Sequence, residues 1–216
     1  MARFVVVGLG TFGCSVVDAL MEQGHEVIGV DRDRVRVESM RDRATMVVEL
    51  DAREPGPLGD QGIGDVDVGV VALGEAFETS VLASLNLREL GVRKVVARAR
   101  RKREARILEA VGVNVVVCPE EEAGLRLGAV LTDPEIHDWY RVSKGFSVGE
   151  LDIPKVLHGK SVAESGLRER YRLNLVAIRR KKGPLVVPGP DTRLGPDDRL
   201  VLAGSDEDLK AFIEVD

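Results

Sequence analysis

Short β-branched runs recur through the first part of the chain: Val5 to Val7, "EVIGVD" ending at Asp31, "TMVVEL", "VGVVAL", "KVVARA" and "VNVVVC". Between them the apolar positions fall at helical spacing. Phe12, Val16, Val17 and Leu20 mark a first helix that Gly24 stops, and further helices are predicted around Asp33 to Met40, Phe77 to Leu90 and Lys102 to Val111. "REPGPLGDQG" reads as a broken segment. Near-continuous apolar strands separated by helix-length crossovers predict a parallel sheet with helices on both faces, an α/β, Rossmann-type doubly wound arrangement.

A further helix begins at Pro119, a favoured first helical residue, and runs to about Leu131. Glu120, Glu121 and Glu122 sit against the positive end of its dipole. Beyond Asp133 the period changes. "FSVGELDIP", "NLVAIRR", "PLVVP" and "RLVLAG" read as short strands, with helical pieces only near Ser161 to Tyr171 and Asp206 to Ile213. "KKGP" suits a hairpin turn, and Ser205 with Asp208 resembles a capping box. The chain therefore divides into a nucleotide-binding type of domain with its crossover helix, 1–134, and a small α+β domain, 135–216.

Composition narrows the function classes. The 216 residues are 44% hydrophobic and 31% charged, with no apolar run near the roughly 18 residues a membrane span needs. No secretory signal opens the chain, so a cytoplasmic location is expected. A net charge of −5 argues against broad capture of nucleic acid. Cys14 and Cys118 lack metal-like spacing and read as small core residues.

Gly8, Gly10 and Gly13 fit G-x-G-x-x-G between a strand and a helix, the context in which that motif holds a phosphate. Gly8 permits the tight turn, Gly10 the approach of phosphate, and Gly13 close helix packing. Asp31, about twenty residues on at the end of the second strand, is placed to accept from the hydroxyls of an adenosine ribose. It disfavours a 2′-phosphate but does not separate NAD(H) from ATP, ADP or AMP. His25, His137 and His158 have no evident orienting carboxylate at a sheet end, and no catalytic constellation accompanies the glycine turn. The balance favours a nucleotide sensor that is not an enzyme. The alternative is a small NAD-dependent oxidoreductase.

"VVVGLGTFGCSVVDALMEQGHEVIGVDRD", "VVALGEAFETSVLASLNLRELGV" and "VCPEEEAG" resemble the N-terminal half of the RCK family, the cytosolic subunits that gate Ktr and Trk potassium transporters. The stretch from "LHGKSVAESGL" to "SDEDLKAF" is similar to that family's C-terminal domain. The resemblance implies a TrkA-N-like domain that binds ATP, ADP or NAD(H), followed by a TrkA-C-like domain. It also implies homodimers assembled into a ring, expected to be an octamer, beneath a membrane-embedded potassium-translocating subunit. The protein would then be peripheral at the inner face of the membrane.

Position by position, the resemblance assigns the phosphate turn to Gly8, Gly10, Thr11, Phe12 and Gly13. It assigns the ribose end to Asp31 and Arg32, the adenine side to Asp51 and Ala52, and the crevice turn to Ala72, Leu73, Gly74 and Glu75. Arg98 is assigned as a basic phosphate contact, whereas Arg100, Arg101, Lys102 and Arg103 read as an exposed helix start. Glu120 matches an acidic position that binds an intersubunit divalent cation in some relatives, although the helix dipole accounts for its acidity equally well. Arg168 matches a position that helps some relatives bind cyclic di-AMP at a dimer interface. Thr11 stands where many Ktr-type members carry an arginine directed at the terminal phosphate, which puts a strong preference for ATP over ADP in doubt.

Overall fold

The computed structural model describes residues 1–74, 77–181 and 183–215. The chain forms two compact units, divided between Glu121 and Glu122.

In the first unit, strands β1 (Arg3–Val7), β2 (Glu26–Asp31), β3 (Met46–Glu49), β4 (Val68–Val71), β5 (Lys94–Arg98) and β6 (Val115–Val117) form one sheet in the order β3-β2-β1-β4-β5-β6. Every pairing is parallel. The crossovers carry helices α1 (Thr11–Glu22), α2 (Arg34–Met40), α3 (Pro55–Asp60), α4 (Phe77–Glu89) and α5 (Lys102–Ala110). Val5, Val6 and Val7 show why the central strand reads as an unbroken apolar run. Val5 and Val7 belong to the core that includes Leu58, Ala83, Leu87 and Leu108, while Val6 faces the other way, into the core with Val17 and Met40. Successive residues of one strand are thus buried on opposite faces, as a helix-covered parallel sheet requires.

The segment expected to be broken instead contains α3 and a 3-10 turn at Ile63–Asp65. Pro55 presets the backbone at the start of this helix, burial of Leu58 and Ile63 holds it on the sheet, and Gly62, at φ +69°, supplies the left-handed exit.

The second unit centres on a five-stranded antiparallel sheet, ordered β10-β9-β11-β8-β7. Its strands are β7 (Ile136–Ser143), β8 (Phe146–Asp152), β9 (Asn174–Arg179), β10 (Leu185–Val186) and β11 (Arg199–Ser205). Strand β7 carries no clear alternation in sequence because its register on β8 shifts twice, between Ile136 and Asp138 and between Arg141 and Ser143. The helical piece from Ser161 to Tyr171 divides at Gly166, φ +62°, into α7 (Val162–Ser165) and α8 (Leu167–Tyr171). A full capping box joins Ser161 and Glu164. Ser205 caps α9 (Asp206–Ile213) by accepting from the Asp208 N–H at 3.0 Å, and its hydroxyl donates to the Asp208 carboxylate at 2.6 Å.

Helix α6 (Pro119–Thr132) spans the division between the units. It has no buried residue and leaves Leu125, Leu127 and Leu131 exposed. The boundary expected from the sequence lies after residue 134, near the end of this helix. Among the described residues no helix is long and apolar enough to cross a membrane.

Candidate nucleotide site

Parallel register builds the site. Val7 pairs with Val30 and with Val71, and Val71 pairs with Ala97. The next residues, Gly8, Asp31, Ala72 and Arg98, therefore line one rim at the carboxyl ends of the strands, where the strand order reverses beside β1. Open α/β sheets bind their ligands at such a switch point. The Gly8 N–H donates to the Val30 carbonyl and the Ala72 N–H to the Val7 carbonyl, both at 2.7 Å, so the ladder fixes the rim.

A cavity of roughly 360 Å³ opens there, and Gly8, Gly10, Asp31, Arg32, Asp51, Ala52, Ala72, Leu73, Gly74, Arg98 and Glu120 line it. Thr11, Phe12 and Gly13 do not. Thr11 opens α1 and lies exposed, with its carbonyl accepting from the Ser15 hydroxyl at 3.0 Å. Phe12 supports Arg98, whose guanidinium carbon is 5.6 Å from the ring centroid. Gly13 is buried, and a Cβ there would lie 1.9 Å from the Gly8 carbonyl oxygen. Its lack of a side chain is what lets the helix approach the turn. Glu75 lies outside the described residues.

Gly8 holds φ +98°, which an L side chain rarely adopts. Gly10 is the N-cap of α1 and makes no side-chain cap bond, so the helix end presents backbone donors. A Cβ on Gly10 would meet nothing within 4 Å, leaving that space for a ligand. Asp31 is more completely buried than its proposed contact with ribose requires. Its side chain is 4% exposed, Oδ2 accepts from the Leu9 N–H at 2.7 Å, and Oδ1 accepts from the Asp33 N–H at 2.9 Å. Arg36 Nη1 donates to Oδ2 at 3.5 Å. A carboxylate offers about four acceptor positions, so capacity remains for ribose hydroxyls.

On the other side, Arg53 Nε donates to both oxygens of Asp51 at 3.0 Å and holds that carboxyl down to about 2. The buried Asn86 amide of α4 donates to the Ala52 carbonyl at 2.9 Å and fixes the adjoining loop. At the far end Arg98 donates to Glu120, whose carboxyl it holds below the ordinary range. Nε of Arg98 is buried without a hydrogen-bond partner, alone in this among the described side-chain nitrogens and oxygens. A buried donor without an acceptor is costly, and a ligand phosphate would satisfy it.

Arg36 and Thr79 also line the cavity and were not singled out by the sequence. Arg100, two residues before α5, is exposed as expected and also lines the cavity. Asn86 was missed too, although a polar residue between the buried Ala83 and Leu87 was a readable sign.

Of the histidines, His137 does have a carboxylate partner, with Nε2 2.8 Å from Asp152, but the pair belongs to the second unit and was hidden by the irregular register of β7. Among the described residues no group of three or more His, Cys, Asp or Glu is gathered as for a metal ion. In the second unit a shallower cavity of roughly 460 Å³ is lined by Arg168 and Asn174, which are joined by an Nε to Oδ1 bond of 3.0 Å.

Comparison with known proteins finds two family domains in the chain. Residues 4–119 match the TrkA-N domain and residues 150–215 the TrkA-C domain. The chain is 30% identical over 210 residues to the Ktr system potassium uptake protein A of Bacillus subtilis, covering 97% of this chain and 95% of that one. It is 31% identical to the Ktr system potassium uptake protein C of the same organism, again over 97% and 95%. Among solved structures, the GsuK RCK domain superposes with a TM-score of 0.69 at 20% identity, covering 99% of this chain and 48% of that chain. The GsuK channel bound to NAD gives 0.68 at 20% identity, over 98% and 38%.

Proposed function

We propose that this chain, which belongs to the family built from a TrkA-N domain followed by a TrkA-C domain, is the nucleotide-sensing regulatory subunit of a Ktr-type potassium uptake system. Two relatives at 30% and 31% identity over 97% of this chain are Ktr system potassium uptake proteins. The observation that carries the nucleotide reading is the one cavity that joins the open end of α1, the buried Asp31 and the unsatisfied Nε of Arg98.

In this reading Asp31 accepts from the adenosine ribose, the loop of Asp51 and Ala52 flanks the base, and the donors of α1 with Arg98 take the phosphates. Thr11, exposed at the start of α1 outside the cavity lining, adds no cation for a terminal phosphate, so NAD(H), ADP and AMP are favoured over ATP. Bound nucleotide regulates by its differential affinity for two shapes of the assembly. The assembly is a homodimer built into a ring on the cytoplasmic side of a membrane subunit. Helix α6, with Leu125, Leu127 and Leu131 exposed, is the segment that packs on a second copy.

The test is calorimetric titration of the purified chain with ATP, ADP, AMP, NAD and NADH, paired with potassium uptake by cells lacking the gene. Binding of at least one nucleotide and impaired uptake are expected. Failure to bind any of them, or uptake unchanged by deletion, would sink the reading.

A further inference from the structure

We propose that Arg126 of α6 and Asp138 of β7, with Tyr140 beside them, form a clasp that fastens the second half of α6 to the sheet of the second unit, so that movement of this helix is handed on to that sheet. The inference rests on the regulatory reading above and adds to it the contact through which α6 acts on the second unit.

Helix α6 has little burial to hold it. None of its 14 residues is buried, and Gly124 and Gly128, which weaken a helix, have open space where a Cβ would stand. Its apolar contribution to the core of the second unit is the half-buried pair Ala129 and Val130. Arg126 adds a directional hold. Its Nε donates to Asp138 Oδ1 at 2.6 Å and its Nη2 to Oδ2 at 2.7 Å, the paired geometry that makes bonds between arginine and carboxylate strong. The guanidinium carbon lies 4.2 Å from the centroid of the Tyr140 ring, within reach of a cation–π contact. The Trp139 N–H donates to Oδ1 of the same carboxylate at 2.8 Å and fixes its direction.

The register of β7 shows how the clasp is aimed. Ile136 pairs with Leu151 and Asp138 with Glu150, so His137 is the extra residue of a bulge. In an unbroken strand Ile136 and Asp138 would share a face, which would turn Asp138 towards the core that holds Ile136 and Leu151. The bulge reverses this. Trp139, opposite Gly149, enters the core, while Asp138 and Tyr140 come out on the other face and meet Arg126. His137 secures the bulge, with Nε2 2.8 Å from Asp152 Oδ1, and the Asp152 N–H donates to the Glu135 carbonyl at 3.0 Å. An exposed ion pair adds little stability by itself, and the Arg126 side chain is 48% exposed. A bulge that presents one carboxylate to one helix therefore serves the placing of α6.

The experiment is hydrogen exchange on the full chain, without nucleotide, for the wild type, Arg126→Gln, Asp138→Asn and the double variant. The amides of residues 126–132 are expected to exchange about tenfold faster in each single variant, with β11 unchanged as the control of the fold. The double variant should be no faster than the single ones, because both residues act through one contact. Unchanged exchange, or effects that multiply in the double variant, would overturn the clasp. The same variants are then expressed in cells lacking the gene, and nucleotide affinity is read by calorimetry. Affinity within about twofold of the wild type is expected, with potassium uptake lowered to the level of the deletion. Normal uptake despite faster exchange would reduce the pair to a structural contact, and loss of nucleotide affinity would place the damage in the first unit; either result overturns the role given to the clasp. If the wild type itself binds no nucleotide, the regulatory reading fails, and the exchange measurement still decides whether Arg126 and Asp138 hold α6.

Discussion

The Leu9 N–H donates to Oδ2 of Asp31 at 2.7 Å, tying the glycine turn after β1 to the end of β2 through a buried carboxylate. Asp31 is thus a structural acceptor as well as a candidate ribose ligand. Asp31→Ala strands the amides of Leu9 and Asp33, and leaving buried donors unmet costs about 1–3 kcal/mol. Asp31→Asn keeps one acceptor oxygen. The expected result in denaturant unfolding is a clear loss for Ala and a smaller one for Asn, while calorimetry shows nucleotide affinity falling in both. Full-affinity binding by a folded Asp31→Asn would remove the charged ribose contact.

Gly13 and Gly10 should separate packing from binding. A Cβ on Gly13 collides with the Gly8 carbonyl, so Gly13→Ala forces α1 away from the turn and destabilises the domain by about 1–3 kcal/mol or more. Gly10 sits at φ −77° and ψ −174°, which alanine adopts freely, and its Cβ direction is open. Gly10→Ala should unfold at nearly the wild-type denaturant concentration and bind nucleotide at least tenfold more weakly, because the methyl group takes the place of the phosphate. Equal affinity for Gly10→Ala would mean that phosphate does not approach this amide.

The parallel sheet was legible because Val5 to Val7 is apolar without interruption, and only a strand covered on both faces needs that pattern. In-register parallel pairing then carries Gly8, Asp31, Ala72 and Arg98 to one rim, so these positions could be read from strand ends. Arg36 and Thr79 could not, and Asn86 showed only as a polar residue on an apolar helix face, with no sign of what it would bond. They reach the site or its loops from helices, and which helix face meets which loop is decided by tertiary packing. Strand β7 was missed for a local reason, since two register shifts erase the period of two on which recognition depends.

Acid should act on the loop beside the cavity. The Arg53 side chain holds the Asp51 carboxyl at about 2, below its ordinary 3.8. A carboxylate depressed in the folded state contributes stability above its unfolded value and loses it as pH falls through the folded one. That contribution is complete above about pH 4 and lost toward pH 2. With Asp51 26% exposed, solvent screening leaves about 1 kcal/mol. Urea unfolding at pH 6 and pH 3 should show a smaller drop for Asp51→Asn than for the wild type. Identical drops would mean that the pair is not held in solution.

Gly74 offers a way to move Arg98 without touching its charge. A Cβ at Gly74 would fall 2.8 Å from Nη1, 3.4 Å from Cζ and 3.6 Å from Nη2 of Arg98. These atoms form the far end of a flexible side chain, so the fold can yield at low cost, about 1 kcal/mol or less. The guanidinium must then leave its place between Phe12 and Glu120. If it is the phosphate anchor, Gly74→Ala weakens NAD and ADP several-fold but leaves adenosine, which carries no phosphate, almost unaffected. Equal weakening of adenosine would place the damage at the base and ribose, and unchanged binding of all three would show that the position of Arg98 is irrelevant to the ligand.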